Sequence, residues 1–358
     1  MSQRRSFSAM NYALIGLALV GLLLIWLTLL GVFGRQHVSA QTFVDFQQGD
    51  EPHLGFRRAH AKGVCVAGEF VSSGALADYS TAELLQQGVT PMLGRFSIGG
   101  GNPTAPDLTS PVRSFAFSLD AGANQQWRSA MNTPPVMAVA TPDAFFAQLN
   151  ALAPNPHTGE RDGEKIAAFF AAHPETQAFR QWSASYQPSA SFAQENFHSI
   201  NAFYLVNADG KQQAVRWHLK ANTEAMPGIE QPSSVADNPY AQSEQANDAL
   251  GLEIADRIRE RPVVFDLVFT FADPSDDASD PTVAWPSSRR HVIAGQIVIE
   301  RVVDSPSVCD AVNFDPLILP TGMRPSEDAI LRARSAAYAE SYRRRAREQI
   351  FHHSDTTP

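Results

Sequence analysis

Two cysteines, Cys65 and Cys309, are all that 358 residues carry, and neither their spacing nor their neighbours suggests a zinc site. Cys65 lies in the apolar stretch Val64-Cys65-Val66-Ala67 and reads as a small buried hydrophobe. Pairing with Cys309 in an oxidising compartment is the alternative, but a sequence gives no distance between the two. Positive charge is scarce too. The net charge is −9, and no basic patch points to nucleic acid. Gly99-Gly100-Gly101-Asn102-Pro103 lacks the Lys and the Ser or Thr of a phosphate loop, so it is a turn. His157, His173, His198 and His218 follow no shared ligand spacing, and His352-His353 is a tail pair; all read as structural or solvated. There is no internal repeat.

What the chain does have is one apolar run, from about Tyr12 to Phe33, preceded by Arg4 and Arg5 and closed by Arg35. It carries no charge, is long enough to cross a bilayer as a helix, and exceeds a usual signal-peptide core. Val38-Ser39-Ala40 offers a small-residue cleavage site, so a removed signal is the alternative to a retained anchor. Positive charge is kept on the cytoplasmic side, which leaves Arg4 and Arg5 inside and exports the rest. In a bacterium this means a single-pass protein of the inner membrane with its main domain in the periplasm.

Beyond the anchor, the length fits one β-barrel domain with helical additions. A short helix is expected around Phe43 to Gln48. Gly63 to Val71, Ser114 to Leu119, Val136 to Val139, Val263 to Phe271 and His291 to Val303 read as strands. Ala202 to Asn207 and Gln213 to Lys220 form a hairpin across an Asp209-Gly210 turn. Helices are expected over Asp143 to Leu152, capped by Thr141, over Lys165 to Ala172 and over Ala249 to Arg259. Asp273 to Ser288, rich in Asp, Ser and Pro, is a solvated loop. One long helix runs from Ser326, a cap candidate, to about Ile350.

On that last helix Arg334 stands one turn ahead of Tyr338. Residues four apart share a helix face, so the guanidinium is expected to reach the phenolic oxygen. A permanent cation beside a phenol favours the phenolate, and phenolate is a ligand for ferric iron.

Four separated segments then resemble the haem catalase family. They are Arg57-Arg58-Ala59-His60-Ala61-Lys62-Gly63; Gly94-Arg95-Phe96-Ser97 with Pro111 to Ala116; Asn132-Thr133-Pro134; and Arg334 to Arg345. Phe203 to Lys211, running on to Trp217-His218, is similar to a hairpin of the catalase barrel. The resemblance extends from about Phe43 to Gln349. It implies an α+β fold: a catalase-like antiparallel β-barrel with flanking helices, preceded by one N-terminal transmembrane helix. The expected layout is an anchor over 1–35, a linker over 36–55, a haem domain over 56–350 and a tail over 351–358.

The resemblance also assigns roles. Tyr338 would ligate the iron of haem b, with Arg334 behind it, and His60 would be the distal acid–base residue, supported by Ser97. Arg57, Arg95 and Arg345 would meet the haem propionates, since arginine pairs bidentately with carboxylate and keeps its charge. Phe145, or its neighbour Phe146, would pack on the haem face. Arg343 and Arg344 read as a solvated helix face. Catalases carry two consecutive asparagines before the Thr-Pro, the first being the distal amide; here that position is Met131, and Asn132 follows. A thioether cannot donate the hydrogen bond, although a one-residue slip would let Asn132 supply it. The chain also ends just after the tyrosine helix, short of the further C-terminal lobe of full-length catalases. Together these features resemble the short, membrane-anchored catalase-related peroxidases. They imply an enzyme that reduces organic hydroperoxides, and hydrogen peroxide more weakly, with an organic reductant. Without the arm that interlocks catalase tetramers, a monomer is expected. The alternatives are a small true catalase, a non-enzymatic haem-binding module and an isomerase of fatty-acid hydroperoxides.

Overall fold

Strand alternation decides which residues of this chain reach its interior and which reach its site. The computed structural model describes residues 9–29, 37–155, 157–229 and 233–354, in two units, Met1–Ser39 and Ala40–Pro358. In the first unit Ala9–Leu29 is helical (α1). Arg4, Arg5 and the end of the apolar run lie outside the described residues. Among the described residues no helix is long and apolar enough to cross a membrane, so the anchor remains a matter for proposal.

The second unit opens with α2 (Ala40–Gln48), inside the segment expected to be a linker. Next come β1 (Gly63–Ser72), β2 (Gly88–Ile98), β3 (Arg113–Asp120) and β4 (Gln126–Asn132). Helices α3 (Pro142–Leu152), α4 (Gly163–Ala172) and α5 (Gln177–Ser185) separate these from the rest of the sheet. That remainder is β5 (Phe197–His198), β6 (Phe203–Val206), β7 (Gln212–Ala221), β8 (Val263–Phe271), β9 (His291–Val302) and β10 (Met323–Pro325). Between and after them run α6 (Ala249–Glu260), α7 (Pro306–Asp310) and α8 (Ala329–Ser354). Strands β8, β9, β1, β2, β3, β4, β5 and β7 follow one another antiparallel, and β7 pairs back onto β8 to close a barrel. Closure leaves none of these eight strands as a free edge.

The interior is aromatic. Phe70, Phe96, Phe115, Phe117, Trp127, Phe197, Phe203, Phe265 and Phe269 are all buried in one cluster, each contributing roughly 2–3 kcal/mol by leaving water. Phe96, Phe115 and Met131 stand opposite one another across β2, β3 and β4 and point into this core. The next row, one residue along, faces the other way. It holds Ser97, Ser114, Asn132, His198 and His218, directly opposed across β2, β3, β4, β5 and β7.

Several local expectations need correction. Val136 to Val139 is not a strand: it follows Pro134-Pro135 and is a run of bends, tied by the Met137 amide to the Pro281 carbonyl at 2.8 Å. The cap of α8 is Asp328 rather than Ser326, its Oδ1 accepting from Ile330 N at 2.8 Å. Cys65 is no isolated hydrophobe, since it is disulfide-bonded to Cys309, 244 residues away. A loop of that length is worth about 5 kcal/mol on a chain-entropy argument. Arg344 is not a solvated cation either. It bridges Asp45 of α2, at 2.6 Å, and Glu340, at 2.7 Å, and so fastens α2 to α8. Phe43 and Phe46 of α2 meet Phe145 and Phe146 of α3 at 5.5 and 5.4 Å between ring centroids.

Candidate active site

His60 sits just before β1 with a φ of 56°, a left-handed conformation that costs a β-carbon residue energy and often marks a functional position. Its Nδ1 is 3.2 Å from Ser114 Oγ, and that hydroxyl donates to Asn132 Oδ1. With the serine proton committed to Asn132, the serine oxygen accepts from Nδ1–H, and Nε2 is left as the basic nitrogen. Burial, then the charges of Arg95, Arg334 and Arg57, push the imidazole pKa down to about 4. The ring is therefore neutral at any ordinary pH.

The strand faces correct one expectation and decide between two alternatives left open by the sequence. The hydroxyl at Nδ1 belongs to Ser114; Ser97 is its cross-strand neighbour in the same row. Met131 is in the barrel core and cannot stand in for a distal amide, whereas Asn132 faces His60 through Ser114. The same row carries His198 and His218, stacked at 5.3 Å between centroids. Burial is the first cause that holds both neutral, at about 3 and about 4.

Arg57, Arg95 and Arg345 converge beside this histidine. Arg95 donates to the carbonyls of His60 and Ala61, each at 2.9 Å. A β-carbon on Gly63 would lie 2.7 Å from the Arg95 guanidinium carbon, so only glycine fits at that crossing. Arg57 pairs with Asp310 at 2.6 Å and donates to the carbonyls of Cys309 at 2.8 Å and Val312 at 3.2 Å. Arg345 donates to the Asp310 carbonyl at 2.8 Å, while its buried Nε has no partner. Burial first, then the neighbouring guanidinium of Arg57, lowers Arg95 to about 9 and Arg345 to about 10. Burial also lowers Arg57.

Tyr338 of α8 lies within electrostatic reach of Arg57 and Arg95, and its ring packs against Cys65, Cys309 and Phe314. The Arg334 guanidinium does not bond to it. Arg334 donates instead to the Ala130 carbonyl at 2.6 Å, to the Ser199 carbonyl at 3.4 Å and to Asn201 Oδ1, and Asn201 Nδ2 donates to Asp328 at 2.6 Å. Asn201 and Asp328 are wholly buried, so this chain fixes the guanidinium from behind. Neither was foreseen; an amide between two charged residues has no sequence signature. Phe145 packs on Phe43, with Val139, Ala151 and Phe169 nearby, and is not in contact with His60 or Tyr338 among the described residues.

The charges test whether a haem suits these residues. Three guanidiniums, Arg57, Arg95 and Arg345, share one carboxylate, Asp310, which leaves two positive charges uncompensated in a buried setting. Buried charge needs a partner, and two propionates would supply it. The phenol of Tyr338 and the neutral His60 complete a donor set that fits haem. A closed antiparallel barrel with this donor set on its outer wall is the architecture of a haem enzyme.

The comparisons agree. Residues 40–353 match the family model described as Catalase, and the chain belongs to the catalase family. Its cofactor is haem and it is an oxidoreductase acting on peroxide. A catalase-related peroxidase of Synechococcus elongatus is 32% identical over 82% of this chain and 85% of its own length. One from Mycolicibacterium paratuberculosis is 30% identical, covering 81% of this chain and 89% of its own. A catalase of Pseudomonas aeruginosa is 29% identical over 84% of this chain but only 59% of its own. The solved structure of a bacterial catalase superposes with a TM-score of 0.68 at 20% identity, covering 90% of this chain and 60% of that one. A fungal catalase gives 0.70 at 19% identity, with 81% and 59% covered. At those identities the likeness shows the fold.

Proposed function

We propose that this protein is a haem peroxidase that reduces organic hydroperoxides, and hydrogen peroxide more weakly, at the expense of an organic reductant. The observation that carries the reading is the neutral His60 ordered by Ser114 beside the basic cluster. In this reading Tyr338 donates its phenolic oxygen to the iron, and Arg57, Arg95 and Arg345 clasp the propionates. When bound, haem supplies the redox-active iron that takes up the oxidising power of the peroxide. His60 Nε2 accepts the proton of the incoming hydroperoxide and returns it to the departing oxygen, which leaves as an alcohol or water. Ser114 holds the ring in the tautomer that makes Nε2 available, and Asn132 holds Ser114.

The relatives named catalase-related peroxidase favour this reading over a true catalase. One feature favours the catalase: an amide, that of Asn132, stands on the His60 side of the wall. The test is to compare dye oxidation by an organic hydroperoxide with oxygen release from hydrogen peroxide. Dye oxidation should dominate. Oxygen release that outpaces it would make the protein a catalase, and Asn132→Val should then suppress the oxygen more than the dye reaction.

We further propose that the Tyr12 to Phe33 run anchors the protein in the inner membrane, with the haem domain in the periplasm as a monomer. The uncharged run after Arg4 and Arg5 supports this. So does the Cys65–Cys309 disulfide, because such bonds persist in oxidising compartments. Protease added to intact spheroplasts should digest the haem domain; protection until lysis would reverse the orientation. Free periplasmic protein beginning near Gln41 would favour a cleaved signal.

A further inference from the structure

Helix α7 is only five residues long and has no side-chain cap, too short to hold its own position. Yet this turn and the residues after it aim the propionate arginines. Both terminal nitrogens of Arg57 are directed at it, through the Asp310 carboxylate and the carbonyls of Cys309 and Val312. Arg345 reaches the Asp310 carbonyl. Main-chain carbonyls orient a guanidinium only as well as their own segment is fixed. What fixes it is Cys309 of α7 itself, buried at 1% exposure and bonded to Cys65 of β1, five residues beyond His60. The Val303 amide, where the segment leaves the barrel, donates to the Cys65 carbonyl at 2.9 Å. Tyr338 packs on the same two cysteines and Phe314.

We propose that the Cys65–Cys309 disulfide is a positioning device for haem: it clamps α7 to the barrel so that Arg57 and Arg345 present their donors to the propionates. This rests on the reading of those arginines as the propionate partners. Without the bond the barrel keeps its core, but α7 drifts and the two guanidiniums lose their aim. The effect should thus be larger for haem with free carboxylates than for haem without them, although Tyr338 also packs on the same cysteines.

The experiment uses wild type and Cys65→Ala/Cys309→Ala, each loaded with haem or with haem dimethyl ester, which lacks the free carboxylates. Release is followed by transfer to apomyoglobin, with far-UV circular dichroism to verify the fold. The double variant should release haem ~10-fold faster, in the range seen when groups that orient a ligand's partners are lost. The ester should gain much less speed than haem does. Equal acceleration of haem and ester would mean a general loosening, and no acceleration of haem would mean no role; either result overturns the clamp. The propionate reading fails separately, if wild type releases haem and ester equally fast. Should the double variant not fold, Cys65→Val/Cys309→Ala restores volume and takes its place. In haem-free protein the amides of Ala311 and Val312, bonded to Ser307 and Cys309 carbonyls, should exchange faster once the disulfide is gone. Unchanged exchange there would also sink the proposal.

Discussion

Tyr338→Phe should strip the purified protein of most of its haem. The substitution removes the oxygen donor but keeps the ring that packs on Cys65, Cys309 and Phe314, so the fold has no reason to fail. Loss of a group that merely supports a metal ligand costs ~10–100-fold in affinity, and loss of the ligand itself should cost at least as much. The ratio of Soret to protein absorbance reads the outcome. Full occupancy with an unchanged ferric spectrum would remove Tyr338 from the iron.

His60→Ala should slow the reaction with every peroxide by ~10²–10⁴-fold, the usual worth of positioned acid–base assistance. Haem content should hold, because His60 is not among the groups assigned to the iron or the propionates. The pH profile offers a second readout. The imidazole takes a proton only when neutral, and its pKa is held down to about 4. The wild-type rate should therefore stay level from neutrality downward and fall as the pH drops through about 4. In His60→Ala that acid limb should be missing. If the limb persists in the variant, another group moves the proton.

The residues that converge beside the barrel wall were legible one by one because their chemistry is distinctive. Arg57, His60, Arg95, Tyr338 and Arg345 belong to segments with recognisable neighbours, and α8 brings the last two to the first three. What failed was anything that depended on strand register. The sequence around Gln126 did not announce β4, so nothing said which of Met131 and Asn132 turned inward. Once Met131 is seen opposite Phe115, the answer follows from alternation alone. Ser97 and Ser114 are equally polar and share one row; only the path of the chain at His60 decides which hydroxyl meets the ring. The spacing of Arg334 and Tyr338 correctly put both on α8, but the Ala130 carbonyl and Asn201 draw the guanidinium away. The disulfide stood only as an alternative, since 244 residues separate its ends and a sequence gives no distance between them.

The tie between α2 and α8 has a consequence for how the protein comes into being. Arg344 meets Asp45, and Glu348 meets both Arg58 and the Gly55 amide, so the two ends of the folded unit are stitched together. The tyrosine is synthesised 278 residues after the histidine. Contacts at such separation form slowly, because the intervening chain must be brought into place first. A nascent chain therefore has no complete pocket to offer, and cofactor capture becomes a late event in biogenesis. For an exported chain, that event would fall after translocation, on the far side of the membrane, where haem must be delivered separately from the polypeptide.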